Sequence, residues 1–198
     1  RVYEAIKQTG FVPNEVARSL YKKSAKLIGL IIPSITNLFF TELADSVEKA
    51  ADKSGFRVVY YNTDNNPDKE KMAVGMLKSM NADGIIITSN NEELIDVIDK
   101  SGLSVVIIDC EHDFTFEGDI VAAIRDVSPK ADGIFACNDM MTLSVYKQLT
   151  QKGIRVPQDI SIVGFDDVML SKLVTPEITT IAQPIDKMGR MAVKLITG

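Results

Sequence analysis

Cysteine and histidine are scarce in this chain: two cysteines, Cys110 and Cys137, and a single histidine, His112, in 198 residues. Neither cysteine has a C-x-x-C neighbour, so neither a zinc site nor a dithiol redox pair is indicated. In a reducing compartment both are expected as unpaired structural thiols. His112 has no evident nucleophile partner, and the G-x-G-x-x-G, Walker and G-x-S-x-G patterns are all absent. Asp109, Asp139, Asp166 and Asp167 are the groups left over for acid–base or metal chemistry, but no motif organises them. No enzymatic activity, metal or cofactor is expected. Long apolar runs are missing too. Residues 27–33 and 84–87 are far too short to cross a bilayer. With no basic-plus-apolar signal at the start, a cytoplasmic location and no membrane partner are expected.

What is present fits a folded protein with a sizeable core, as one large domain or two smaller lobes: 45% of residues are hydrophobic and 25% charged. The net charge of −5 is uneven. Residues 1–28 carry six basic groups (Arg1, Lys7, Arg18, Lys22, Lys23, Lys26) against Glu4 and Glu15, leaving the remainder strongly acidic. Clustered cations on an acidic body suit an arm that meets a polyanion; a solvated charged linker is the plainer alternative.

From residue 27 onward, short β-branched apolar runs alternate with amphipathic stretches that end near glycine, the signature of a parallel sheet covered by helices. Strands are predicted at 27–32, 57–61, 84–88, 104–109, 131–136 and 160–165. Asn37 is placed to cap a helix that buries Phe40, Leu43, Ala44, Val47 and Ala51 before Gly55. Asn66-Pro67 opens the next helix, for which Met72, Met76, Leu77 and Met80 are the predicted buried stripe. Helices follow near 92–100, 120–127, 140–152 and 184–196, the last with Ile185, Met188, Ala192, Leu195 and Ile196 as its apolar side. Residues 110–119 show no clear period.

In open α/β sheets ligands bind just past the carboxyl ends of the strands. Here those positions are polar and varied: 34–37, 62–66, 89–91, Asp109, Asn138-Asp139 and Asp166-Asp167. Asn, Asp and Gln offer paired donors and acceptors, and Phe39 and Phe40 offer flat apolar faces, which together suit a polyhydroxylated ring. The same residues also serve as helix caps and turn formers, and spacing alone leaves both roles open.

The segment FVPNEVARSL (11–20) resembles the end of the headpiece and the hinge helix of the lactose-repressor (LacI/GalR) family. The resemblance runs on through IGLIIP (28–33) with TNLFF (36–40), through ADGII (82–86), through 131–139, and through GIRVPQDISIVGFDD (153–167) and TPEITTIAQP (175–184). Within the family it is nearest to ribose-operon repressors. The resemblance implies an α/β, two-lobed periplasmic-binding-protein-like fold, with parallel sheets flanked by helices, preceded by a remnant of a helix-turn-helix headpiece and a hinge helix. The implied divisions are a headpiece remnant at 1–12, hinge and linker at 13–26, an N-terminal lobe at 27–114, an incomplete C-terminal lobe at 115–183, and a returning helix at 184–198.

The implied function is that of a sugar-responsive repressor. An effector, ribose or a related sugar, binds between the lobes and controls operator DNA binding by a homodimer. Asn14, Ala17, Arg18 and Leu20 would meet DNA, with Leu20 as a minor-groove wedge. Asn37, Phe39, Phe40, Asp109, Asn138, Asp166 and Gln183 would meet the sugar, with Asp109 taking hydroxyl hydrogens in charge-assisted bonds. The chain departs from ribose binders at Cys110, where they usually carry arginine, and at Leu38, a common proline. The major-groove-reading helices are expected to precede Arg1. Between His112 and Phe116 the family carries on the order of 60 to 80 further residues, by the size of βα units. A periplasmic-type sugar-binding transport component is the alternative; the hinge motif and basic start weigh against it.

Overall fold

Strand β1 (Leu27–Ile32) is buried at every position after Leu27, as a strand covered on both faces must be. In the computed structural model, which describes residues 24–89, 91, 93–108, 119–127 and 130–198, it is followed by α1 (Leu38–Lys53), β2 (Arg57–Asn62), α2 (Pro67–Ser79), β3 (Gly84–Ile87), α3 (Leu94–Ser101) and β4 (Ser104–Ile107). Then come α4 (Ile120–Val127), β5 (Gly133–Phe135), α5 (Asp139–Gln151), β6 (Ser161–Asp166), a 3-10 turn (Met169–Lys172), β7 (Thr179–Ala182) and α6 (Ile185–Thr197). The hinge residues Asn14, Ala17, Arg18 and Leu20, and Asp109, Cys110 and His112, lie outside the described residues.

The strands form two parallel sheets, β2-β1-β3-β4 and β5-β6-β7. The fold is therefore α/β, parallel sheets with α-helices between successive strands except β6 and β7, which the 3-10 turn joins. The backbone divides into two units. The first takes in residues up to 33, 47–108 and 190–198; the second takes in 34–46 and 109–189.

In the first unit, β1 lies between β2 and β3, so the chain reverses its direction of travel across the sheet there. The carboxyl ends of β1 and β3 flank that switch point. The core under this sheet is built from Ile31, Ala73, Val74, Leu77, Ala82, Ile85, Ile87 and Leu94. Helix α2 begins as its sequence demands: Asn66 Oδ1 accepts from the backbone N–H groups of Asp68 and Lys69, and Pro67 occupies the first turn. Its buried stripe, however, is Glu70, Ala73, Val74 and Leu77. Of the predicted stripe only Leu77 is buried; Met72 (58% exposed), Met76 and Met80 face outward. Consecutive helical residues are about 100° apart, so methionines one position before Ala73 and Leu77 fall on the adjoining ridge. A similar correction applies to α6, where Ile185, Ala192 and Val193 are buried and Leu195 is exposed.

Two glycines are dictated by close approach. A Cβ on Gly84 would stand 2.8 Å from the Ser104 carbonyl oxygen and 2.6 Å from Ile196 Cγ2. One on Gly164, in the second unit, would stand 2.4 Å from Asp139 Oδ1. The second unit's core gathers Val121, Val145, Leu149, Ile160 and Ile162. The GIRVPQD part of the 153–167 motif is a brace at the mouth of β6. The Arg155 guanidinium grips Asp159 at 2.6 and 2.9 Å, and its backbone N–H donates to the same carboxylate at 2.8 Å. The hydrogen bonds from Arg155 hold the Asp159 carboxyl at about 2.

The inversion of the α2 stripe is testable by urea unfolding. Leu77→Ala is expected to lose about 2 to 5 kcal/mol, whereas Met72→Ala, which leaves the core under the sheet intact, is expected to lose at most about 1 kcal/mol. Equal losses would restore the methionine stripe.

Candidate functional site

Six of the seven expected sugar-contacting residues are described, and all six belong to the second unit. Their local settings differ. Asn37 sits just before α1; its Oδ1 accepts from the Phe39 N–H at 3.0 Å and its carbonyl from the Phe40 and Thr41 N–H groups. It is a helix cap, and buried. Phe39 and Phe40 follow on the first turn with ring centroids 5.2 Å apart and planes at 76°, an edge-to-face pair. Both are almost wholly buried.

Asn138 is the corresponding cap of α5. Its backbone is extended and its Oδ1 accepts from the Met141 N–H at 2.7 Å. In both asparagines capping uses the side-chain oxygen, which leaves the Nδ2 group as the part chemically suited to donate elsewhere.

Asp166 and Gln183 are brought into direct contact. Asp166 ends β6, Gln183 follows β7, and Gln183 Nε2 donates to Asp166 Oδ1 at 2.6 Å. The Gln183 N–H also donates to the Asp166 carbonyl at 3.3 Å. The backbone here is strained: Asp166 has φ +121° and Asp167 φ +59°, conformations that cost non-glycine residues on the order of 1 to 3 kcal/mol each. Such geometry persists only where the surroundings over-determine it. Here the Asp167 N–H donates to Thr180 Oγ1 at 3.3 Å, the Val168 N–H to Asp139 Oδ2 at 2.9 Å, and Lys172 Nζ to Asp167 at 3.0 Å. The Met169 N–H reaches Glu42 Oε1 of α1 at 3.3 Å, so the strained segment and the helix carrying Phe39 and Phe40 are tied together within this unit.

The sequence reading passes over Thr180 and Glu42, and names Asp139 without the bracing role it has here. In the sequence Asp139 stands out as the second half of an Asn-Asp pair after a strand and as one of four unassigned carboxylates, and Thr180 belongs to a strand that shows no burial alternation. Cys137 is an exposed free thiol.

The polar strand ends of the first unit are engaged in holding loops. Asn62 Nδ2 donates to Asp64, which also pairs with Lys69; the Lys69 hydrogen bond holds the Asp64 carboxyl below its ordinary range. Asn91 Nδ2 donates to the buried Glu70 at 3.1 Å. Among the described residues there is no group of three or more His, Cys, Asp or Glu that could hold a metal. No described helix is long and apolar enough to cross a membrane.

Residues 25–127 match the model of periplasmic binding proteins and the sugar binding domain of the LacI family, and residues 92–198 match that of the periplasmic binding protein-like domain. The chain belongs to this family. Among curated relatives, this LacI-type core is 27% identical to the ribose operon repressor of Halalkalibacterium halodurans, over 98% of the chain and 79% of the relative. It is 28% identical to the ribose operon repressor of Bacillus subtilis, over 100% of the chain and 81% of the relative. Among solved structures it resembles a periplasmic binding protein/LacI transcriptional regulator of Alkaliphilus metalliredigens complexed with D-xylulofuranose. That likeness has 25% identity and a TM-score of 0.68, and covers 86% of this chain and 89% of the other.

The capping role of Asn138 in this LacI-type core gives a measurable signature that a purely ligand-facing side chain would lack. Asn138→Ala is expected to lower unfolding stability by about 0.5 to 2 kcal/mol, and Asn138→Ser to recover most of it. An Ala variant as stable as the parent would leave the asparagine no structural task.

Proposed function

We propose that this chain is the effector-sensing core of a bacterial transcription repressor that responds to a sugar, ribose or a close relative, and that Asn37, Phe39, Phe40, Asp109, Asn138, Asp166 and Gln183 form its ligand set. The observation that carries the reading is the match to repressors of ribose operons along essentially the whole chain. The protein is a regulator and not an enzyme.

The chemistry of the second unit supports the choice of ligand residues. A sugar ring has polar edges and apolar faces. Asp166 supplies a carboxylate for vicinal hydroxyls, the asparagine Nδ2 groups and Gln183 supply donors, and the phenylalanines supply flat hydrocarbon. Asp166 is held rigidly by Gln183 and the braced 166–169 backbone, which reduces the ordering required when a ligand arrives. Asp109 lies beside Cys110 where ribose binders carry arginine, so the choice among pentoses is the finest part of the proposal. A transport component built on the same fold is disfavoured by the hinge-like segment 11–20 and by relatives that are repressors.

Operator DNA is the second partner. Asn14, Ala17, Arg18 and Leu20 are the proposed minor-groove contacts of a hinge helix, with Leu20 prying apart a base step. Sugar must bind two states of the protein unequally if it is to change operator affinity. A cytoplasmic location follows from that role.

The working unit is a homodimer in this reading. Its support in the first unit is the ridge of Met72, Met76 and Met80, three exposed apolar side chains at i, i+4 and i+8. A second copy of the same ridge is the occupant proposed for it.

Calorimetric titration of the intact regulator with D-ribose, then other pentoses and hexoses, tests the sensor. Micromolar binding to one of them is expected, weakened about 10- to 100-fold in Asp166→Ala by loss of a charged hydrogen-bond acceptor. Operator affinity without sugar should be unchanged in Asp166→Ala and reduced in Leu20→Ala. No heat with any sugar would overturn the sensor reading. For the dimer, Met76→Glu is expected to shift sedimentation from dimer to monomer; an unchanged dimer would place the interface elsewhere.

A further inference from the structure

One carboxylate of the second unit is withdrawn completely from water. Asp139 is 0% exposed and opens α5, where the unpaired amides of a helix start favour negative charge. Its Oδ2 accepts the Val168 N–H at 2.9 Å and its Oδ1 accepts the Thr180 hydroxyl at 2.6 Å. Thr180 Oγ1 in turn accepts the Asp167 N–H at 3.3 Å. Room for this carboxylate against β6 exists because residue 164 is glycine: a Cβ there would stand 2.4 Å from Asp139 Oδ1 and 2.7 Å from Thr142 Oγ1.

Burying a carboxylate is unfavourable unless its oxygens are satisfied, and an apolar side chain in the same place would avoid the desolvation. What the carboxylate does that an apolar group cannot is accept from donors on the strained segment. Directly and through Thr180, it fixes the backbone N–H groups of Asp167 and Val168, the two residues after Asp166. Asp166 and Asp167 hold positive φ, so release of those N–H groups removes the restraint on the residue whose side chain meets Gln183.

We infer that Asp139 is a positioning residue: through Val168 and Thr180 it holds the 166–168 backbone in its strained form and thereby aims the Asp166 carboxylate at Gln183 and at a bound sugar. The part concerning sugar rests on the ligand set proposed above. The part concerning Gln183 does not.

The experiment therefore has two readouts on the full chain. The first is the nitrogen–proton NMR spectrum without sugar, following the Gln183 side-chain amide and the Val168 backbone amide. In Asp139→Ala the Gln183 resonances are expected to move to the positions they take in Asp166→Ala, and the Val168 amide to exchange at least tenfold faster. Asp139→Asn, which keeps one acceptor, should fall between. A merely structural role would lower the melting temperature while leaving the Gln183 resonances of the folded protein at their parent positions, and that result would overturn the inference. If Asp139→Ala does not fold, Thr180→Val removes a single hydroxyl from the same relay and must move the same Gln183 signals. The second readout is D-ribose titration, with affinity expected to fall at least tenfold in Asp139→Ala and less in Asp139→Asn. Failure of the parent to bind ribose would count against the ribose reading alone, and the Gln183 signals would still decide the role of Asp139.

Discussion

A parallel strand between two layers of helices has no face to spare for water, and that constraint governs where this protein can be polar. Residues 28–32 and 84–88 are continuously buried, so every ionisable or hydrogen-bonding side chain near these strands is displaced to their ends. The carboxyl ends are where loops lead into helix N-termini, and helix N-termini require side-chain acceptors. Capping residues and ligand residues are thus drawn to the same few positions. Asn37 and Asn138 both stand there as caps, and Asn66 caps α2 in the same manner.

The second consequence is that precision at such a position must be built from outside the residue itself. Asp166 ends a strand at φ +121° and Asp167 continues at +59°. Neither is favourable locally; both are held by bonds from α5, β7 and the loop beyond. Strain of this kind at the end of a strand is typical of functional segments, where rigidity toward a ligand matters more than local comfort. The inward displacement of Asp139, made possible by Gly164, belongs to the same economy of space.

Most of the architecture was legible in the sequence because its signals are periodic and strong. Six predicted strands and the helix starts at Asn37, at Asn66-Pro67 and near 140 coincide with the structure to within a residue or a few. The misreadings have a common physical origin. On α2 the prediction took the large methionines at helical spacing as the buried ones, yet the stripe is set by which ridge meets the sheet. Ala73 and Val74 are small enough to lie against it, and the methionines are left outside. Strand β7 was not predicted as a strand because three of its four residues are exposed and leave no alternation to read. At the site, position past the strand ends pointed to Asp166 and Asn138, and the resemblance to ribose sensors added Gln183 as a candidate. The support by Asp139 and Thr180 was not legible, since it depends on side chains 41 residues apart meeting across a glycine.

The expectation of further residues near 112–116 bears on the second sheet. The match to the Bacillus subtilis repressor runs over 264 positions and uses the whole of this 198-residue chain, so that relative carries residues with no counterpart here. Among the described residues, β5 is bonded only to β6, and Phe135 within it is 60% exposed. A parallel sheet is ordinarily covered on both faces and its open edges are short or shielded. A three-residue strand that ends in an exposed phenylalanine therefore departs from the rule that the central strands β1 and β3 obey. The departure lies where βα units inserted between β4 and α4 would pack, adding strands to the free edge of β5 and apolar cover for Phe135. The sheet geometry supplies an open edge and an uncovered surface at β5, and units of that kind are on the order of 30 residues each.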